Sequence, residues 1–290
     1  MNKSSFGNYF TVTTWGESHG KALGAVVDGC PAGLSLCEED IQKFLDRRKP
    51  GQSRYTTARK EGDLVEILSG VFDGRTTGTP ISLMVRNTDQ RSRDYGNIAC
   101  SYRPGHADYT FDAKYGFRDY RGGGRSSGRE TAGRVAAGAI AIKQLNELGI
   151  TFTTYTKSIG PVEIRSFSED EIKNNALCMP DADAAEKASA YLEECLKNQD
   201  SAGGIIECRI RNVPAGLGDT VFDKLDATLA HAIMSIGAVK AVEIGDGVQV
   251  TKLTGSADND GFSLKDGIIT KTSNHAGGIM GGMSDGSDII

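Results

Sequence analysis

Apolar and polar residues alternate along several short segments in both halves of the chain. An alternation of period two is typical of half-buried strands. Residues 16–20 (GESHG) connect the first two of these segments, and Asp73-Gly74 lies between two others as the turn of a hairpin. The predicted strands are 9–15, 23–27, 64–72, 80–85, 150–158, 204–213 and 239–244.

Other segments have the helical spacing of three to four residues. Ser35 and Glu38 form a capping box, which predicts a helix that stops before Pro50. Asp181 is a predicted N-cap for a helix to about Lys197. Two further helices are predicted at 135–148 and 219–236, and the segment 87–128 shows little periodicity. Hairpin-like neighbours outnumber regular βαβ units, so the pattern favours an α+β fold with antiparallel sheet.

The composition narrows the protein class. With 290 residues, of which 38% are hydrophobic, the chain can bury a substantial core. The first residues contain no apolar signal sequence, and no stretch reaches the ~18 apolar residues of a membrane span. We therefore expect a cytoplasmic protein without a membrane partner. The six cysteines form no CxxC or Cys/His cluster, so neither a metal site nor a disulfide framework is predicted.

Residues 121–130 (RGGGRSSGRE) combine three arginines with glycines and two serines ahead of a helical pattern. Backbone N–H groups, a helix N-terminus and arginine forks are all suited to binding anions. A simple turn and an RNA-binding RGG segment are the alternatives. The net charge of −5 and the single copy of the motif disfavour nucleic acid. Segments 47–60 and 114–134 are locally basic, which favours a pocket for a small polyanion.

Two of the four histidines lie in predicted loops, where a scaffold presents side chains to ligands. They are His19 in the 16–20 connection and His106 in the irregular segment. A histidine can donate or accept a proton near neutral pH, which is suitable for general acid catalysis at a phosphate leaving group. His231 is predicted to lie at the surface or a subunit contact, and the role of His275 is left open.

Five sequence motifs follow one another along the chain. They are GESHG at 16–20 after FTVTTW at 10–15, RPGHAD at 103–108, GGGRSSGRET at 122–131, AVKAVEIG at 238–245 and NHAGGIMGGM at 274–283. In these motifs and their order the chain resembles chorismate synthase, and the resemblance runs from about Phe6 to the last residue. It implies a β-α-β sandwich of antiparallel sheets enclosing helices, and a homotetramer.

The activity implied by this resemblance is that of a carbon–oxygen lyase of the shikimate pathway. It would convert 5-enolpyruvylshikimate 3-phosphate (EPSP) to chorismate and phosphate by 1,4-elimination, in aromatic amino acid biosynthesis. The implied cofactor is reduced FMN, with no net redox change. NADPH would act only indirectly, through an external flavin reductase, because no added reductase segment is visible.

The resemblance also implies roles for individual residues. His106 would give a proton to the leaving phosphate, and His19 would protonate reduced flavin near N1. The implied substrate or NADP positions are Ser18, Arg48, Arg54, Arg103 and Arg129, and the implied flavin contacts are Arg125, Ser126, Ser127, Gly237, Ala238 and Gly278.

One departure from the family pattern concerns the C-terminal side. Family members continue past the position of Ile290, through a Lys-Pro-Thr flavin segment and an Arg-His-Asp motif, and neither occurs here. The expectation is a single domain, 1–290, that lacks the C-terminal segment of the family. Two alternatives stay open: a fragment of a longer enzyme, or a truncated, non-catalytic remnant that binds flavin or a small polyanion.

Overall fold

The computed structural model describes residues 4–49, 51, 55, 62–88 and 100–290. The chain divides into two compact units, Met1–Gln144 and Leu145–Ile290. The single-domain organisation stays a prediction. Within the described residues, no helix has the length and apolar character needed to cross a membrane.

The first unit is built on an antiparallel sheet. Its elements are β1 (Ser5–Phe6), β2 (Thr11–Gly16), β3 (Ala22–Asp28), α1 (Glu38–Arg48), β4 (Val65–Ile67), β5 (Val71–Phe72), β6 (Arg75–Thr76), β7 (Ile81–Arg86), α2 (Asp108–Tyr115) and α3 (Thr131–Glu147). The sheet has the strand order β1-β2-β3-β7-β4. Strands β2 and β3 pair from Thr11 opposite Asp28 to Gly16 opposite Leu23, so their connection, residues 17–21, lies at one end of the sheet.

A continuous hydrophobic core supports this sheet. Apolar side chains of β3 and β7 alternate inward, and the buried faces of α1 and α3 pack in the same cluster. The alanine- and glycine-rich face of α3 allows close approach: a Cβ at Gly133 would lie only 2.7 Å from the carbonyl oxygen of Gly24 in β3. The start of α3 is therefore fixed against the sheet.

The second unit contains a three-stranded sheet and several short hairpins. Its elements are β8 (Thr151–Ile159), β9 (Val162–Glu163), α4 (Glu171–Asn174), α5 (Ala182–Lys197), β10 (Gly204–Arg211), α6 (Leu225–Met234), α7 (Gly255–Asp258), β11 (Phe262–Lys265), β12 (Ile268–Lys271), β13 (Ile279–Met280) and β14 (Met283–Ser284). The three-stranded sheet has the order β10-β8-β9. Asp181 caps α5 by accepting a hydrogen bond from the Ala184 N–H at 3.1 Å, as predicted.

The predicted α+β class with antiparallel sheets is confirmed, but several boundaries were wrong. The N-cap of α1 is Cys37, whose N–H donates to Asp40, because Ser35 is held extended in a bridge to Arg75. The hairpin predicted over 64–85 forms a shorter turn unit than expected. Strands β5 and β6 pair around Asp73-Gly74, whereas β4 pairs with β7. Helix α2 lies in the segment predicted to be irregular.

Candidate active site

The connection between β2 and β3 carries a buried serine and histidine side by side. Ser18 Oγ lies 3.0 Å from His19 Nδ1 and donates to the carbonyl oxygen of Gly122 at 3.4 Å. Gly122 has φ +72°, and a Cβ there would lie 2.2 Å from His19 Cε1. The imidazole of His19 therefore packs directly against the glycine-rich loop, and only a glycine allows this approach.

Arg125 fastens the same loop to the end of β2. Its guanidinium donates to the carbonyl oxygen of Gly16 at 3.0 Å, and to the carbonyl and hydroxyl oxygens of Thr14 at 3.1 and 2.7 Å. Ser127 caps the following short 3₁₀ helix by accepting from the Arg129 N–H at 3.3 Å, and Ser126 donates to Gly123 within the loop. These three side chains shape the loop, and their flavin contacts stay a prediction.

A buried carboxylate joins two of the predicted substrate arginines. Asp63 Oδ2 accepts from Arg48 Nη1 at 2.8 Å, and Asp63 Oδ1 accepts from Arg129 Nη1. Arg129 also donates from Nε to Asn87 at 2.9 Å. The Asn87 side-chain amide in turn donates to the carbonyl oxygens of Glu17 and Gly20. Arg48 and Arg129 are thereby connected to the turn that carries His19.

A second buried carboxylate holds the third described arginine of this set. Asp108, the first residue of α2, accepts from Arg103 Nε at 2.9 Å and Nη2 at 2.8 Å. The Arg103 guanidinium holds the pKa of Asp108 well below its usual range. His106 lies between them in sequence, is exposed, and places Nδ1 3.0 Å from the carbonyl oxygen of Pro104. A carbonyl oxygen only accepts, so Nδ1 is the donor in this contact and Nε2 is the ring nitrogen outside it.

A cavity of about 920 Å³ opens between the loop, the 16–20 turn and α2. Its apolar wall comes from Phe111, Tyr115, Phe117 and Tyr120, and its polar rim includes arginines and aspartates. Asp119 lies on this rim, and its pKa is lowered by hydrogen bonds from Arg121 and, less strongly, by the charge of His19. An aromatic wall with arginine donors on its rim matches the needs of a flat ligand that carries an anionic group.

The remaining predicted flavin contacts, Gly237, Ala238 and Gly278, lie in the second unit. Ala238 follows α6 in a left-handed conformation with φ +69°. The Gly278 N–H donates to Asn274 Oδ1 at 2.9 Å. Arg54, the last member of the predicted substrate set, lies outside the described residues.

The loop before Gly278 is organised by an ionic cluster. Lys271 is buried between Asp260 at 2.9 Å and Asp285 at 2.7 Å. Asp260 also accepts the backbone N–H groups of His275 and Ala276 at 2.8 and 3.1 Å. One ammonium and two carboxylates give the cluster a net charge of −1, and the backbone N–H groups that donate to Asp260 help to stabilise it while it holds the loop in place.

His275 supplies a pH-dependent contact in this loop. Its Nδ1 lies 2.7 Å from Asp246 Oδ2, and this hydrogen bond raises the pKa of His275 above its ordinary value of 6.5. A raised folded-state pKa stabilises the fold fully below about pH 6.5, and this contribution is lost as the pH rises through the folded-state value.

The unfolding free energy of the parent protein should fall between about pH 6 and 8 as His275 loses its proton. We expect this fall to be smaller in His275→Gln, and urea titration at several pH values measures it. Asp246→Asn should reduce the same slope, because it removes the partner that raises the pKa. A parent slope retained in both variants would contradict this assignment.

Comparison with known proteins gives a consistent picture. The family model described as chorismate synthase matches residues 10–290. A chorismate synthase of Agathobacter rectalis is 67% identical over 292 residues, which cover 100% of this chain and 80% of the relative. A chorismate synthase of Chloroflexus aurantiacus is 55% identical with the same coverage. A crystal structure of chorismate synthase superposes with a TM-score of 0.82 at 35% identity, covering 97% of this chain and 83% of that chain.

Proposed function

The chain belongs to the chorismate synthase family, and on that premise we propose that it converts EPSP to chorismate and phosphate with reduced FMN. Family membership makes it a lyase of the shikimate pathway. The non-catalytic remnant is not favoured, because relatives up to 67% identical are named as the enzyme. The proposal covers the substrate, the cofactor and the residues that act on them.

One observation carries the proposal: the described arginines of the predicted substrate set lie around the turn that holds His19. Arg129 connects to this turn through Asn87, and Arg48 is joined to Arg129 by Asp63. Arg103 comes close to the glycine-rich loop, since a Cβ at Gly123 would lie 3.9 Å from its Nη2. EPSP has two carboxylates and a phosphate, so several positive charges beside a proton-transfer residue match its chemistry.

The cavity residues fit reduced FMN. Phe111, Tyr115, Phe117 and Tyr120 offer apolar surface for a flat ring system, and the arginines of the rim offer donors for a phosphate. When bound, reduced flavin supplies transient electron density that helps the phosphate of the substrate to leave. The protein's part is to bind and orient both ligands and to move protons.

Two histidines would move these protons. In its imidazolium form His106 carries a proton on Nε2 as well as on Nδ1 and would give the Nε2 proton to the departing phosphate, while buried His19 would exchange a proton with the cofactor. Gly237, Ala238 and Gly278 stay in the proposal as backbone contacts to flavin, with Arg125, Ser126 and Ser127.

The experiment that tests the proposal is an anaerobic assay with EPSP and chemically reduced FMN, in which chorismate is measured by its absorbance. Formation of chorismate and phosphate in equal amounts is the expected result. Binding of both ligands without product would overturn it. Other proposed features are a cytoplasmic location, a homotetramer and a separate flavin reductase that draws on NADPH.

Arg129→Ala should weaken EPSP binding by roughly 10- to 100-fold, since it removes a charge-assisted contact. Arg129→Lys should restore part of the affinity only, because an ammonium lacks the planar fork. Calorimetric titration with EPSP measures both. The matched control is Arg86→Ala, which removes an exposed arginine paired with Glu66. Equal affinity in parent and Arg129→Ala would place the anion site elsewhere.

A further inference from the structure

Asp63 has an unusual combination of burial, charge and backbone conformation. Its side chain is 0% exposed, and its backbone has φ +45°. Aspartate and asparagine are among the few residues, apart from glycine, that tolerate this left-handed region. A fully buried carboxylate is costly unless it is paired, so its partners define its purpose.

Both carboxylate oxygens of Asp63 are used, one for each of two arginines from different parts of the chain. Oδ2 accepts from Arg48 at the end of α1, and Oδ1 accepts from Arg129, just before α3. Without the carboxylate, two guanidinium groups in a largely buried region would repel each other. With it, the three side chains form a stable group with a net charge of +1.

Each arginine is also fixed from another side. Arg48 donates from Nε to Thr131 Oγ1 and from Nη2 to the Gly128 carbonyl oxygen, both at 3.2 Å. Arg129 donates from Nε to Asn87. Within the described part of the chain, Arg48 thus donates once from each of its three nitrogens, whereas a guanidinium carries five N–H groups. The two side chains are therefore held by several contacts each, Arg48 keeps further N–H groups for an anion, and the group keeps its net positive charge.

We propose that Asp63 is a positioning residue for the substrate: it holds Arg48 and Arg129 on one carboxylate so that the two together bind one anionic group of EPSP. This inference rests on the proposed function. A rigid, preorganised pair binds an anion more tightly than two mobile arginines, since less side-chain freedom is lost on binding. Asp63 itself makes no contact with the substrate in this proposal.

The test replaces Asp63 by asparagine, which has the same shape and tolerates the same backbone conformation. Asp63→Asn removes the charge and turns an amide N–H group toward one of the arginines. We expect the KM for EPSP to rise roughly 10- to 100-fold while kcat stays within about threefold. Calorimetric titration with EPSP and oxidised FMN should show the same loss of affinity without turnover.

Asp181→Asn is the matched control. Asp181 is also a buried carboxylate, but it caps α5 and accepts backbone N–H groups, including that of Arg165 at 2.8 Å. Both variants should lower the melting temperature, because both lose hydrogen bonds to a buried charge. Only Asp63→Asn should raise the KM for EPSP.

Two results would overturn the inference. The first is a folded Asp63→Asn protein with the parent KM, which would make Asp63 a structural residue only. If Asp63→Asn does not fold alone, it is combined with Arg48→Met, which restores the buried charge balance. The double variant should then bind EPSP about tenfold more weakly than Arg48→Met alone, and equal affinity is the second contrary result. A parent protein that binds no EPSP would instead reject the proposed function.

Discussion

Replacing His106 by alanine is expected to lower kcat by roughly 10²- to 10⁴-fold, the usual scale of general acid–base catalysis. His106 is exposed, and its Nδ1 is oriented by the Pro104 carbonyl oxygen, so Nε2 is the atom that can reach a ligand. Its removal should leave the fold intact and change the affinity for EPSP by less than about threefold, because it supplies a proton rather than a binding charge. The rate of chorismate formation under anaerobic conditions with reduced FMN measures the effect.

His231→Ala is the control for this experiment. His231 is also exposed, but it lies on α6 in the second unit and has no place in the proposed chemistry. It should turn over EPSP at the parent rate. A parent-like kcat for His106→Ala would remove His106 from the mechanism and direct attention to His19.

Gly122→Ala should reduce turnover by about 10²-fold, because the added methyl group would occupy the space of the His19 imidazole. The new Cβ would lie 2.2 Å from Cε1 and 2.3 Å from Nδ1 of His19, and 2.8 Å from Ser18 Oγ. The ring and the hydroxyl must therefore both move, and a displacement of about 1 Å at a reacting group can cost this much. Steady-state kinetics with EPSP and reduced FMN gives the value.

The effect of backbone strain alone is measured by Gly74→Ala. Gly74 has φ +70°, close to the +72° of Gly122, but a Cβ there would meet no atom within 4 Å. Both variants should lose about 1 kcal/mol of unfolding free energy from the left-handed conformation. Turnover of Gly122→Ala equal to that of Gly74→Ala would show that the position of His19 does not depend on this contact.

The sequence predicted structural features that depend only on residues near one another in the chain. Asp181 capped α5 as expected, because a cap needs only a side chain and nearby N–H groups. The predicted helix 219–236 was too long: α6 begins at Leu225, and Phe222 is 90% exposed, so no core contact supports an earlier turn. The predicted strand 239–244 was wrong, since a strand needs a neighbour to pair with and none appears among the described residues.

In the candidate site, too, local features were predicted and contacts between distant residues were missed. His19 and the glycine-rich loop were predicted from composition and spacing, and their mutual contact follows from the glycine at position 122. Asp63 and Asn87 were missed, because an isolated acid or amide in a sequence gives no sign of which distant arginine it binds. Asp63 is separated from Arg129 by 66 residues, and only the fold brings them together.

The attachment of Arg125 to the end of β2 determines when the glycine-rich loop becomes ordered. Three hydrogen bonds from Arg125 to Thr14 and Gly16 hold the loop on the sheet with contacts of the protein alone. Glycines lose more conformational entropy than any other residue when they are fixed. Here that entropy is lost when the polypeptide folds, and not again at each encounter with a ligand. Ligand association can therefore proceed without a slow ordering step in this loop.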